Sequence, residues 1–152
     1  GPVQSNKSRL VAQHFDWVHT VDRMKLAQRL SEQRAPSLAP LNVCVQVNID
    51  GGVTKSGIAP QAALELARAV ARLPHLRLRG LMTIPEPAEG FDAQCAVHAS
   101  AKTLFDTVCA GLDPVDRADF DTLSMGMTAD LEAAIQCGST LVRVGTAIFG
   151  GR

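Results

Sequence analysis

The chain has 152 residues, 46% hydrophobic and 20% charged, with 15 basic and 15 acidic side chains and a formal net charge of zero. This length suits one domain, and the even charge balance argues against nucleic acid or an anionic membrane as partner. No apolar run approaches the ~18 residues that would span a bilayer, and the first residues lack the charged-then-apolar order of a signal peptide.

The predicted elements alternate. Gly1–His14 reads as a loop running into a helix. Trp17–Val21 is a short strand, and Asp22 is placed to cap a helix from Arg23 to about Gln33. A stiff, proline-flanked loop (35–40) leads to an apolar strand, Leu41–Ile49, and then to the glycine-containing loop Asp50–Gly57. Pro60 marks a helix start, and Gln61–Leu73 carries Leu64, Ala67, Val70 and Ala71 on one side. Leu78–Ile84 is the next strand, closed by Pro85 and Pro87, and Phe91–Ala110 is a long helix ending at Gly111. Thr122–Met125 is a short strand, Thr128–Cys137 a helix with Gly138 closing it, and Leu141–Gly145 the last strand. Five apolar strands separated by helices and without tight hairpins imply parallel βα units, in either a doubly wound sheet or a (β/α)8 barrel.

Cys44, Cys95, Cys109 and Cys137 show no zinc or CxxC spacing, and each lies in an apolar context. They read as buried free thiols of a reducing, cytoplasmic compartment. His14, His19, His75 and His98 form no ligand pair at helical spacing, so no metal site is expected.

In parallel α/β folds, ligands bind at the C-terminal ends of the strands. Two adjacent ends stand out. Ser124-Met125-Gly126-Met127-Thr128 joins a strand to a helix start, where free N–H groups favour an anion. There Gly126 allows the turn, and the Thr128 hydroxyl can donate to an oxyanion or cap its own helix. Asp130 and Glu132, in the same first turn, would repel a phosphate unless they point away. The second end is Leu141-Val142-Arg143-Val144-Gly145-Thr146, which reads as a buried strand carrying one arginine. A buried guanidinium needs a partner; Arg143 either meets an anionic or heteroaromatic ligand or snorkels to the rim. Gly145 and Thr146 add backbone donors. Two such ends in succession resemble the phosphate site that barrels build after their last strands.

These residues, with others, carry a family resemblance. Gly1-Pro2-Val3-Gln4-Ser5-Asn6-Lys7, Gln46-Val47-Asn48 with Lys55-Ser56-Gly57, and Arg79-Gly80-Leu81-Met82 are similar to signatures of the pyridoxal-phosphate homeostasis family. So are Leu123-Ser124-Met125-Gly126-Met127 with Asp130 and the stretch Val142–Gly150. The match runs in order through essentially the whole chain. The resemblance implies a (β/α)8 TIM barrel of the alanine racemase N-terminal-domain type, of which this chain would hold the C-terminal part, about five βα units, as a single incomplete domain over 1–152. It implies pyridoxal 5′-phosphate (PLP) as cofactor and a carrier in vitamin B6 homeostasis rather than an enzyme.

By the same resemblance, Gly126, Met127, Thr128, Gly145 and Thr146 surround the phosphate and Arg143 faces the pyridine nitrogen. An arginine only donates, so it meets an unprotonated ring nitrogen and weakens PLP as an electron sink. That suits a carrier. The family often has a glutamate at the position of Gly52, absent here, and its aldimine lysine belongs upstream of Gly1. Lys25 and Lys102 read as solvated helix residues, while Lys7 and Lys55 lie in loops near the pocket rim. A fragment of an alanine-racemase-type enzyme and a phosphate-binding barrel unrelated to PLP are the alternatives. The expected partner is the small molecule alone, with a monomer for a complete barrel and association or an added segment needed for five units.

Overall fold

The computed structural model describes residues 2–150, with Thr146 described in its backbone only; the expectation for Gly1 lies outside the described residues. A 3-10 turn (Ser5–Lys7) leads into α1 (Ser8–His14), and the chain then alternates strand and helix. The order is β1 (Trp17–Val21), α2 (Met24–Gln33), β2 (Leu41–Val47), a 3-10 turn (Pro60–Ala62) running into α3 (Ala63–Ala71), β3 (Leu76–Thr83) and α4 (Phe91–Gly111). Then follow α5 (Pro114–Arg117), β4 (Thr122–Ser124), α6 (Leu131–Gln136) and α7 (Thr146–Phe149). The four strands form one parallel sheet in the order β1-β2-β3-β4. Each neighbour is reached through a helical crossover, as parallel pairing requires.

The register sorts side chains by face. Val45 pairs with Leu81 and Leu81 with Leu123, and all three belong to the hydrophobic core with Leu26, Leu30, Ala67, Val70 and Val108 of the helices. Each such fully buried aliphatic side chain contributes about 1.5–3 kcal/mol. Gln46, Met82 and Ser124 pair in turn on the opposite face, as do Cys44, Gly80 and Thr122. That second face is buried but mixed in polarity. Gly80 has a packing reason to be glycine: a Cβ there would overlap the carbonyl oxygen of Thr122, so β3 and β4 approach more closely than any side chain permits.

Several expectations are corrected. Leu141–Gly145 is not a strand: Leu141 makes one parallel bridge to Ser124, and residues 142–145 are irregular. The reason lies just after β4, where the backbone turns away at Gly126 (φ +92°): Leu141 bonds to Leu123 and Met125, and beyond it only the Arg143 N–H reaches back, to the Gly126 carbonyl. Nor is the run buried, since Val144, Ile148 and Phe149 are exposed and no described element covers them. The helix expected over Thr128–Cys137 starts at Leu131, after a turn. It closes as expected at Gly138, whose N–H donates to the Ile135 carbonyl while Ser139 N–H donates to Ala134. Asp22 does not cap α2; its carboxylate accepts from Arg23 instead. Of the four free cysteines only Cys44 is buried, because the other three lie on helical turns at the margin of the core. The helix α5 was not anticipated. Among the described residues no helix is long and apolar enough to cross a membrane, and no cluster of acidic, His and Cys side chains could hold a metal.

Candidate binding site at the strand ends

Arg143 is the centre of the site. Its half-buried guanidinium crosses the ends of two strands: Nη1 donates to Ser124 Oγ (2.7 Å) and Nη2 to the Thr83 carbonyl (2.9 Å). No carboxylate pairs with it among the described residues. Burial lowers its pKa from the ordinary arginine value, partly offset by the charge of Asp130. A guanidinium has five N–H donors; two are engaged here and three have no partner among the described residues.

Arg34 shows what a bracing arginine looks like in the same fold. It is 4% exposed, and its guanidinium donates to the carbonyls of Ala39, Ala12 and Phe15 with Asp16 3.8 Å away. Arg143 has neither that saturation nor that counter-charge. Its two engaged nitrogens reach Ser124 and Thr83, the last residues of β4 and β3.

Ser124 also meets His19 of β1, whose Nδ1 lies 2.9 Å from the same Oγ. Ser124 is completely buried. Burial, and then the charge of Arg143, lower the His19 pKa. The His19 ring packs edge-on against Trp17, and Arg79 stacks over Trp17 at 4.8 Å. Arg79 in turn grips Asp121 with two bonds of 2.7 and 2.9 Å.

The loop after β4 is shaped by two residues. Gly126 packs against Ala134, which a Cβ would strike. Asp130 accepts the Met127 N–H (2.7 Å) through one oxygen and meets His98 Nε2 (2.8 Å) through the other. The feared repulsion is therefore met by pairing: Asp130 is turned to the loop backbone and to α4, and Glu132 is exposed. The consequence is that the Met127 amide is committed to Asp130. The Thr128 hydroxyl is exposed, makes no hydrogen bond among the described residues and does not cap α6. Gly145 faces open space on its Cβ side, and its N–H has no partner among the described residues. Thr146 begins α7; its side chain lies outside the description.

Beside this loop lies a cleft of about 410 Å³ walled by Lys55, the turn after β3 (84–88), Gln94 and residues 127–130. Lys55 is half-buried and 3.8 Å from Glu86, while Lys7 is exposed. Lys25 is exposed, and Lys102 pairs with Asp106 one turn on along α4. Glu86 fills the space beside Gly52: a Cβ on Gly52 would come within 2.8 Å of its carboxylate. Thr54 donates to that carboxylate (2.9 Å), and Glu86 N–H donates to Asp50. Glu86 thus brings a carboxylate to this loop from the turn after β3.

The structure brings Gly126, Met127, Thr128, Arg143 and Gly145 to one end of the sheet. Sequence reasoning missed His19, Glu86 and the role of the Ser124 hydroxyl. For His19 a signal existed: it alternates with Trp17 on one face of a strand that otherwise presents valine and threonine.

A single parallel sheet built of successive βα units, with a half-buried arginine across two strand ends, places the chain among the α/β proteins. Within that class the chain belongs to the alanine racemase N-terminal domain family, which it matches over residues 1–152. It is 57% identical over 152 residues to the pyridoxal phosphate homeostasis protein of Pseudomonas aeruginosa, covering all of this chain and 63% of that protein. It is 55% identical to the protein of the same name from Escherichia coli K12, with the same coverage. The chain therefore spans under two thirds of the length of these curated relatives. PipY of Synechococcus elongatus, solved with PLP bound, superimposes with a TM-score of 0.86 at 33% identity, over 99% of this chain and 68% of PipY. Alanine racemase of Clostridium difficile shares the fold alone (TM-score 0.71, 15% identity, covering 99% of this chain and 38% of that one). The motif resemblance and the expected fold type are borne out.

Proposed function

We propose that this chain forms part of a single PLP-binding barrel domain that serves in cellular PLP homeostasis as a carrier rather than a catalyst. The observation that carries this reading is Arg143: half-buried and, among the described residues, without a counter-ion and with three N–H donors left over at a strand end. The donor set fits PLP. A pyridine nitrogen and a phosphate are acceptors, and this end offers the Arg143 N–H groups not used by Ser124 and Thr83, the Thr128 hydroxyl and the Gly145 amide as donors without partners among the described residues. In this reading Arg143 donates to the ring nitrogen, while Thr128, Gly145 and Thr146 hold the phosphate beside Gly126. Met127 contributes its side chain, 44% exposed, because its amide is used by Asp130.

When bound, PLP supplies an aldehyde and an electron-withdrawing ring. Arg143 keeps the ring nitrogen unprotonated, which restrains that withdrawal and favours holding over transforming. The pyridoxal phosphate homeostasis proteins among the relatives and the PLP-bound PipY support the reading. Four thiols without a disulfide suit a reducing cytoplasm.

The test is a titration with pyridoxamine 5′-phosphate, which shares the ring nitrogen and phosphate but has no aldehyde to react with surface lysines. Saturable binding, weakened roughly tenfold or more in Arg143→Gln, is expected from losing one charged hydrogen bond. Equal binding by the two proteins would refute the assignment of Arg143.

A further inference from the structure

We propose that His19 is a positioning residue for Arg143: held as the neutral Nε2–H tautomer, it accepts the Ser124 hydroxyl proton at Nδ1 and so fixes Ser124 Oγ as the acceptor that orients the guanidinium. This deepens the reading of Arg143 as the ligand-facing arginine and rests on it for its functional consequence.

The argument is one of proton inventory. Three groups from three separate segments meet at Ser124 Oγ: His19 from β1, Arg143 from the segment after Leu141, and the serine itself at the end of β4. A guanidinium never accepts a hydrogen bond. Arg143 Nη1, at 2.7 Å, is therefore the donor and Ser124 Oγ the acceptor. The serine has one proton left to place, and it is fully buried. The nitrogen in reach is His19 Nδ1, at 2.9 Å. If Nδ1 carried a proton, the oxygen would face two donors and its own proton would be stranded in a buried site, which is costly. With Nδ1 bare, the serine proton and the Arg143 Nη1 proton that meet at this oxygen both have acceptors.

The surrounding charges favour the same state. Arg143 lies beyond the serine, and Arg79 stacks on Trp17, against whose ring His19 packs. No carboxylate pairs with His19 among the described residues. Burial and the Arg143 charge both disfavour the imidazolium.

The mechanical consequence is specific. Nη1 is tied to Ser124 and Nη2 to the Thr83 carbonyl, so two anchors define the guanidinium plane. A serine free to rotate and donate elsewhere would remove one of them. His19 commits the serine proton and thereby keeps that anchor. The remaining arginine donors then stay aimed at the strand end.

The experiment uses the full chain, its His19→Asn and His19→Leu variants, and two readouts. The first needs no ligand: nitrogen-15 chemical shifts of the imidazoles, with His19 assigned by its disappearance in His19→Asn. The expected pattern is a bare Nδ1 and a protonated Nε2 at neutral pH; a protonated Nδ1 would overturn the proposal. The second readout is affinity for pyridoxamine 5′-phosphate. Asparagine places an amide oxygen close to the position of Nδ1 and should bind within about twofold of the parent, whereas leucine, which cannot accept, should weaken binding roughly fivefold to tenfold. Circular dichroism of both variants verifies the fold. Equal losses in both variants, or none in either, would overturn the positioning role. Should the parent fail to bind the probe, the PLP reading fails, while the tautomer measurement still decides the assignment of His19.

Discussion

Gly80→Ala tests the sheet that carries the site. The added Cβ would overlap the Thr122 carbonyl oxygen, a backbone atom that no rotamer change can move aside. Relief requires β3 and β4 to separate at the point where Gly80, Leu81 and Met82 pair with Thr122, Leu123 and Ser124. Overpacking of a tight interior costs about 1–3 kcal/mol, and each weakened ladder hydrogen bond adds about 0.5–1.5 kcal/mol. With two or more bonds affected, a loss of about 3 kcal/mol or more is expected. For a domain of this size that is a fall in Tm of roughly 6–12 °C. Urea and thermal unfolding followed by circular dichroism measure it. Gly145→Ala is the control, since nothing lies within 4 Å of a Cβ there, and it should unfold like the parent. The close-approach argument fails if Gly80→Ala is within 1 kcal/mol of the parent. Because Ser124 ends the affected ladder, the same variant should also bind pyridoxamine 5′-phosphate more weakly even well below its melting temperature.

Three further outcomes follow from the side-chain chemistry. Asp130→Ala should cost about 1–2 kcal/mol by removing the bonds to Met127 N–H and His98, yet it frees an amide and removes a negative charge, so inorganic phosphate should bind more tightly; weaker binding by the folded variant would show that the loop geometry, not the charge, governs the site. Cys44, fully buried and with its thiol pushed up to about 12 by that burial, should resist alkylation at pH 8 until the protein unfolds, whereas the half-buried Cys95, Cys109 and Cys137 react earlier; mass mapping of native labelling that finds Cys44 modified first would contradict this. For Asp121, desolvation raises the pKa, but the hydrogen bonds and charge of Arg79 outweigh it and the net shift is downward. Its stabilising contribution is therefore full above the unfolded value and is lost as pH falls below about 4 towards the folded one, and Asp121→Asn should show a slightly flatter acid limb in a pH series of urea melts, the effect being small because the Asp121 carboxylate is exposed to solvent.

What could be read from the chain was whatever depends on local periodicity and punctuation. Trp17–Val21 came out with its observed bounds, Phe91 was correctly the start of the long helix, and Gly138 was placed at the turn it makes, because alternation, helical spacing and glycine at a helix end are properties of neighbours in sequence. The last strand was misread for a physical reason. An apolar run predicts a strand only if a neighbour continues beside it, and β4 ends at Ser124 with the backbone turning away at Gly126. The candidate site residues were legible through their position at strand ends, but their partners were not. The bond between His19 and Ser124 spans 105 positions, and that between Arg143 and Thr83 spans 60. Such contacts exist only once parallel register has set which residue faces which, and register is fixed by tertiary packing. Asp130 makes the same point from the side of charge. From sequence it was an anion beside an anion site, a contradiction. In the fold one oxygen holds the Met127 amide and the other meets His98, so the carboxylate that would repel a phosphate shapes the loop that would receive it. The sign of a charge is written in the sequence; the direction in which that charge is spent is a property of the fold, and it is the second that decides whether this strand end can bind.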